Sequence, residues 1–247
     1  MSGRIGAASL IALAASLTLT VAGCSKPETK DGMGMSSAAA TPAGMTDPQG
    51  AEYTIVLKSQ WTKANHPLEY PEPGLVTGPH FSGIIGASHN SAYAIFTEGK
   101  QPTPGLERLS EEGKHTPLDE EIRSAIAAGN AGVLFESGPL RDFSDSLVTT
   151  VRVDAAHPMV SLVAMVAPSP DWFTGASNIE LQENGQWVAS RTMQLNAWDS
   201  GGDDGTTYKA PDKDTNPKKP TTMDRSRHFV NASGQLVPVA TLTLTKK

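Results

Sequence analysis

From residue 53 onward, apolar positions recur mainly every second residue, the period of a half-buried β-strand. Y-T-I-V-L-K (53–58) is rich in β-branched residues, S-A-Y-A-I-F-T (91–97) alternates small with large apolar side chains, and L-V-T-T-V-R-V (147–153) follows a polar turn. M-V-S-L-V-A-M-V-A (159–167) is nearly all apolar and stops at Pro168, as a strand covered on both faces would. In I-E-L-Q-E-N-G-Q-W-V-A (179–189), Asn184 and Gly185 stand between two strand-like arms and predict a hairpin. L-V-P-V-A-T-L-T-L-T (236–245) offers alternate leucines and valines to a core.

The period changes only in 105–129, where Leu118, Ile122 and Ile126 recur at four-residue steps, Pro117 suits a first turn and Gly129 a C-terminal cap. One or two short helices are expected there. The polar stretch 199–228, with Pro211, Pro217 and Pro220, reads as a long loop. Strands spaced by turns and one helical insertion predict a mainly β fold, an antiparallel β-sandwich.

The first fifty of the 247 residues do not share this pattern. Arg4 precedes a small, apolar, alanine-rich run, too short for a confident membrane span, that closes on V-A-G-C (Val21 to Cys24). That ending has the form of a bacterial lipobox. It implies a signal peptide over 1–23, cleavage before Cys24, and acyl chains on Cys24 that hold the protein at a membrane. Ser25 in place of an aspartate favours the outer membrane of the bacterial cell envelope. Residues 24–52, rich in Gly, Pro, Ser and Ala, read as a tether, which leaves 53–247 as one domain large enough to bury a core. Met33, Met35 and Met45 in the tether raise copper(I) binding, but no histidine accompanies them. Cys24 is the single cysteine, so disulfides within the chain and thiol catalysis are excluded. The net charge of −6, without a basic stripe, argues against a nucleic-acid partner.

Two acidic stretches carry the candidate chemistry. P-S-P-D-W-F (168–173) follows the most apolar strand, and N-A-W-D-S-G-G-D-D-G (196–205) lies some thirty residues on, beyond the expected hairpin. If the chain returns to the same end of the sheet, Asp171, Asp199, Asp203 and Asp204 converge. Converging carboxylates need a cation or protons, and glycine-rich oxygen ligands suit calcium. The spacing is not that of an EF-hand: counted from Asp199, position 6 is Asp204 and position 12 is Ala210. The plainer alternative is solvated acidic loops with Asp171 capping its own turn.

Hydrolase signatures are weak. There is no G-x-S-x-G and no H-E-x-x-H; Ser88 and His89 are adjacent and so point to opposite faces of a strand. His80, His89 and Asn90 are expected to fix a turn, and Glu111 and Glu112 to form a solvated helix face. A glycosidase carboxylate pair is not identifiable from sequence.

V-A-P-S-P-D-W-F-T-G (166–175), W-D-S-G-G-D-D-G (198–205), H-F-S-G-I-I-G-A-S-H-N (80–90) and L-S-E-E-G (109–113) together resemble the spondin domain family, found in F-spondin, mindin and bacterial secreted proteins. The resemblance covers most of 53–245 in order. It implies a C2-like sandwich of about eight strands with calcium held at one end by Asp171, Asp199 and Asp203, and with Trp172 and Phe173 fixing the loop. Where animal members carry a glutamate as a further ligand, this chain has Arg152, with Asp154 two residues on as a possible fourth ligand. Two functions follow: a lipid-anchored, calcium-binding, non-catalytic binding or adhesion module facing a surface protein or glycan, or a secreted metal-dependent hydrolase.

Overall fold

The computed structural model describes residues 50–71, 78–138 and 145–247, so the expected signal peptide, Cys24 and nearly all of the tether lie outside the described residues. The elements run β1 (Ala51–Ser59), β2 (His80–Phe81), β3 (Ile85–His89), α1 (Pro104–Glu112), α2 (Leu118–Ala127), β4 (Ala131–Glu136), β5 (Ser146–Val153), β6 (Met159–Ala167) and β7 (Trp172–Glu180). There follow β8 (Gln182–Glu183), β9 (Gln186–Trp187), β10 (Ser190–Leu195), β11 (Ala197–Asp199), β12 (Thr222–Met223), a 3-10 turn (Arg227–Phe229) and β13 (Ala240–Lys246). β1 begins two residues inside the span read as tether. Among the described residues no helix is long and apolar enough to cross a membrane.

The fold is the expected antiparallel sandwich. One sheet is four-stranded, in the order β10-β13-β1-β5; the other is seven-stranded, in the order β12-β11-β7-β6-β3-β4 with β2 added beside β6. The excess over about eight strands comes from two- and three-residue strands at the loops and from the β8–β9 hairpin. That hairpin turns at Asn184 and Gly185, both at positive φ, as the Asn-Gly pair predicts.

The apolar character of β6 has a simple cause: it is buried on both faces. Val160, Leu162, Ala164 and Val166 fill the core between the sheets, while Val163 joins a second core beneath the helices. That second core contains Leu106 and Leu109 of α1, Leu118 and Ile122 of α2, and Phe173 of β7. α1 starts on Thr103, whose Oγ1 accepts the Leu106 N–H at 3.2 Å, and stops at Gly113 in the left-handed region (φ 66°).

The segment 91–97 is not a strand. Its alternation is real, but Tyr93, Ile95 and Phe96 serve the helix-side core from a loop. That loop begins with a turn in which the Asn90 carboxamide oxygen accepts the Ala92 N–H at 2.9 Å.

Candidate functional site

After β6 the chain turns through 168–171, and the Ser169 hydroxyl accepts the Trp172 N–H at 3.0 Å to close the turn. Strand alternation then sends Trp172 and Phe173 to opposite faces. Trp172 packs between the sheets against Tyr208, His228 and Phe229, with ring centroids 5.0–5.2 Å away. Phe173 packs on the helix side against Phe96 at 5.1 Å and stacks on Trp198 at 6.5 Å. The two aromatics therefore pack against separate parts of the molecule on either side of one turn.

Asp171 is fully buried. Its Oδ2 accepts from the Ser200 hydroxyl (2.9 Å) and from the N–H groups of Gly201 (2.9 Å), Gly202 (2.8 Å) and Asp203 (3.1 Å). Among the described residues its Oδ1 has no hydrogen-bond partner. Successive N–H groups can gather on one oxygen because Gly201 adopts φ 87°, where a Cβ would also stand 2.3 Å from the Lys219 carbonyl oxygen. Burial pushes the Asp171 carboxyl up, against the pull of these donors.

β11 brings Asp199 opposite Trp172 on β7. The return does not run through a simple hairpin: after β8–β9, β10 crosses into the four-stranded sheet and β11 comes back beside β7. Asp199 Oδ1 accepts the Gly201 N–H at 2.8 Å. Burial, and next the Asp171 charge, push its carboxyl up to about 7.

Asp203 lies in the same loop, but its carboxylate is turned into the excursion that follows, accepting from Gly205 N–H and Lys213 N–H, both at 2.5 Å. Asp204 is paired with Lys219 and bonded to Thr215. Asp154 is not at this site. It caps the β5–β6 turn, accepting from Ala156 N–H and His157 N–H at 2.9 Å, and the nine residues of β6, about 26 Å of strand, separate that turn from Asp171. Arg152 stands opposite Glu52 in the β1–β5 ladder, near that same turn, so it does not replace a cation between the acidic loops.

Sequence reasoning missed four residues on the helix side. Glu107, Glu111 and Asp214 have carboxylate oxygens that all lie within 4.8 Å of one another. Lys218 Nζ sits 2.7 Å from Glu107 Oε1 and 3.5 Å from Asp214 Oδ1, and donates to the Gly202 carbonyl at 3.1 Å. Burial, then Glu107, Asp171 and Asp214 against the opposing pull of Lys218, leave the Glu111 carboxyl at about 7. Only Glu112 is the solvated residue expected of both; it pairs with Arg108 and Lys114. The available signal was Glu107 and Glu111 at i, i+4, a like-charge pair that weakens an isolated helix.

The histidines fix structure as expected. His89 Nδ1 is 2.8 Å from the Asn90 carbonyl, and Nε2 is 2.7 Å from Ser161 Oγ. That buried serine also accepts the N–H of Asn178, which sits at φ 58°. Both His89 and Ser161 are fully buried, so this pair has no access to a substrate. Ser88 faces the other way, accepting the Val133 N–H at 3.0 Å. His80 Nδ1 is 2.5 Å from the Gly78 carbonyl.

A family model described as Spondin_N matches residues 51–234. The chain is 28% identical over 207 residues to Spondin-1 of Xenopus laevis, covering 79% of this chain and 25% of that protein. It is 28% identical over 206 residues to Spondin-2 of Homo sapiens, covering 79% and 61% respectively. To Spondin-2 of Rattus norvegicus it is 29% identical over 174 residues, covering 70% and 52%. The chain thus spans about a quarter of the matched Spondin-1 and less than two thirds of the matched Spondin-2 proteins.

Proposed function

The chain belongs to the Spondin_N family, and from that premise we propose that it is a non-catalytic binding module of the cell exterior whose acidic loops hold a calcium ion. The observation that carries this reading is the Asp171 carboxylate: fully buried, anchored through one oxygen by four donors, and left with the other oxygen unpartnered beside Asp199. An anionic oxygen sealed from water without a partner costs several kcal/mol, on the order of a lost buried ion pair, unless a cation or a proton meets it. The donors that face one another are all oxygen, the carboxylates of Asp171 and Asp199, which suits a hard cation such as calcium rather than a soft metal; Asp203 would have to rotate its carboxylate out of the excursion to join them. The ion would join the turn after β6 to the loop after β11. The alternative, a hydrolase with a Lewis-acid metal, requires an open coordination position beside a cleft, whereas Asp171 is enclosed by the loop that folds over it.

The lipobox-like V-A-G-C supports a lipid anchor on Cys24 in the bacterial outer membrane, which would present the module at a surface to a protein or glycan partner. Cys24→Ser is expected to move the protein from the membrane fraction to the soluble fraction and to abolish incorporation of a palmitate analogue; membrane retention with no label would refute lipidation.

Calorimetric titration of the purified chain with calcium, paired with thermal melts in chelator, tests the ion. Saturable binding and a raised melting temperature are expected at neutral pH. Asp199, with its folded value near 7, stabilises the metal-free protein below the ordinary carboxylate range and loses that contribution as pH rises through about 7. Stability in chelator should therefore fall between about pH 4 and about pH 7, while the calcium-induced shift should grow over the same interval because fewer protons compete. Absence of binding heat and of any melting shift across that range would refute the calcium reading.

A further inference from the structure

We propose that the cation site takes a fourth carboxylate from outside the two loops, Glu111 of α1, and that Lys218 is a tethered ammonium that holds the neighbouring Glu107 and Asp214 away from it. The inference rests on the calcium reading above and adds to it a ligand from the helical insertion.

Phe173 lies on the side of β7 on which α1 packs, and Asp171 stands two residues before it, at the end of the turn. Gly202 lies between the turn and the helix. Its N–H donates to Asp171 Oδ2 at 2.8 Å, and a Cβ on it would stand 2.8 Å from Glu111 Oε1 and 3.0 Å from Glu107 Cγ. A side chain at 202 would push the helix acid away from the loop; glycine lets it approach.

Two carboxylate oxygens around this one residue are buried and, among the described residues, without a hydrogen-bond partner: Glu111 Oε1 and Asp171 Oδ1, the latter on a fully buried side chain. One divalent ion shared between them would satisfy both. Asp171 Oδ1 is the observation that takes the proposal beyond a surface cluster of acids, because its partner oxygen is already saturated by four donors.

Lys218 accounts for the remaining charge. Its ammonium bonds Glu107 Oε1 and the Gly202 carbonyl and lies 3.5 Å from Asp214, yet it leaves Glu111 Oε1 unpartnered. A single lysine thus neutralises two of the three helix-side acids and leaves the third for the ion. Glu112, one residue on, shows the contrast: it is exposed and held by Arg108 and Lys114.

The test is terbium luminescence on the full chain, excited through Trp172 and Trp198, with calcium competition and thermal melts in chelator. If wild type binds neither ion, the calcium reading falls and this inference with it. If wild type binds, Glu111→Gln is expected to weaken calcium at least tenfold while the melting temperature in chelator stays level or rises. Glu111→Asp should recover part of the affinity. Lys218→Met is expected to tighten calcium several-fold, since Glu107 and Asp214 lose their counter-ion. Equal affinity in wild type and Glu111→Gln would overturn the ligand role while leaving the calcium reading standing. Weakening that comes with a lower melting temperature in chelator would reduce Glu111 to a packing residue and also overturn it. Unchanged affinity in Lys218→Met would overturn the role given to that lysine.

Discussion

Asp171→Ala should destabilise the domain by about 3–5 kcal/mol even in chelator, because it strands four buried donors at once. The Ser200 hydroxyl and the N–H groups of Gly201, Gly202 and Asp203 all converge on Asp171 Oδ2, and alanine offers none of them an acceptor. For a domain of this size that corresponds to a loss on the order of 10 °C in melting temperature. Asp171→Asn separates the two duties of the residue. Its carboxamide oxygen can take the place of Oδ2 and keep the donors, while its NH2 occupies the position of the unpartnered Oδ1. The asparagine variant should therefore melt close to wild type in chelator and lose the stabilisation by calcium. If alanine and asparagine lowered stability equally in chelator, the charge and not the acceptor would be what the loop needs; if calcium still stabilised the asparagine variant, Asp171 would not be a ligand.

Trp172→Ala is the second large effect, expected at about 3–5 kcal/mol from lost burial and the cavity left behind. The side chain is almost fully buried and touches Tyr208, His228 and Phe229, which belong to the long excursion after β11. Its loss should release that excursion, so proteolysis between residues 204 and 228 should speed up and calcium affinity should fall along with stability. Trp172→Phe, which keeps a ring against Tyr208, should recover most of the melting temperature. An alanine variant that melts within a degree or two of wild type would show that the excursion is held by other contacts.

These two adjacent residues also mark how far the sequence could be read. P-S-P-D-W-F identified the turn, and the apolar run before it identified a doubly buried strand, because both signals are local. The β7 strand that follows was hidden: T-G-A-S-N carries no apolar alternation. Its small residues answer a close approach instead, since a Cβ at Gly175 would stand 2.2 Å from the Leu162 carbonyl oxygen. β3 was hidden in the same way, I-G-A-S-H being wholly buried although two of its five residues are polar. Conversely, 91–97 displayed strand-like alternation and is a loop, because its large residues reach helices rather than a facing sheet. Asp154 was a candidate because it stands two residues beyond Arg152, where the resemblance implies a glutamate. A nine-residue strand between two acids puts them at opposite ends, which chain distance does not reveal. Glu111 was read as solvated because nothing in S-E-E-G tells which of two neighbouring glutamates meets a loop ninety residues further on. Only the docking of α1 against β7, with Gly202 between, distinguishes it from Glu112.

The pairing of β1 with β13, Tyr53 opposite Lys246 and Thr54 opposite Thr245, bears on how such a domain travels among proteins. Where the first and last strands of a fold lie side by side, the polypeptide enters and leaves through neighbouring points. A longer chain can then be spliced at that spot with two short joints and no stretching of the sandwich. The acidic turn after β6 is at the other extremity, so material added at the junction does not crowd it. That arrangement is compatible with matched relatives in which the corresponding segment makes up about a quarter of the whole.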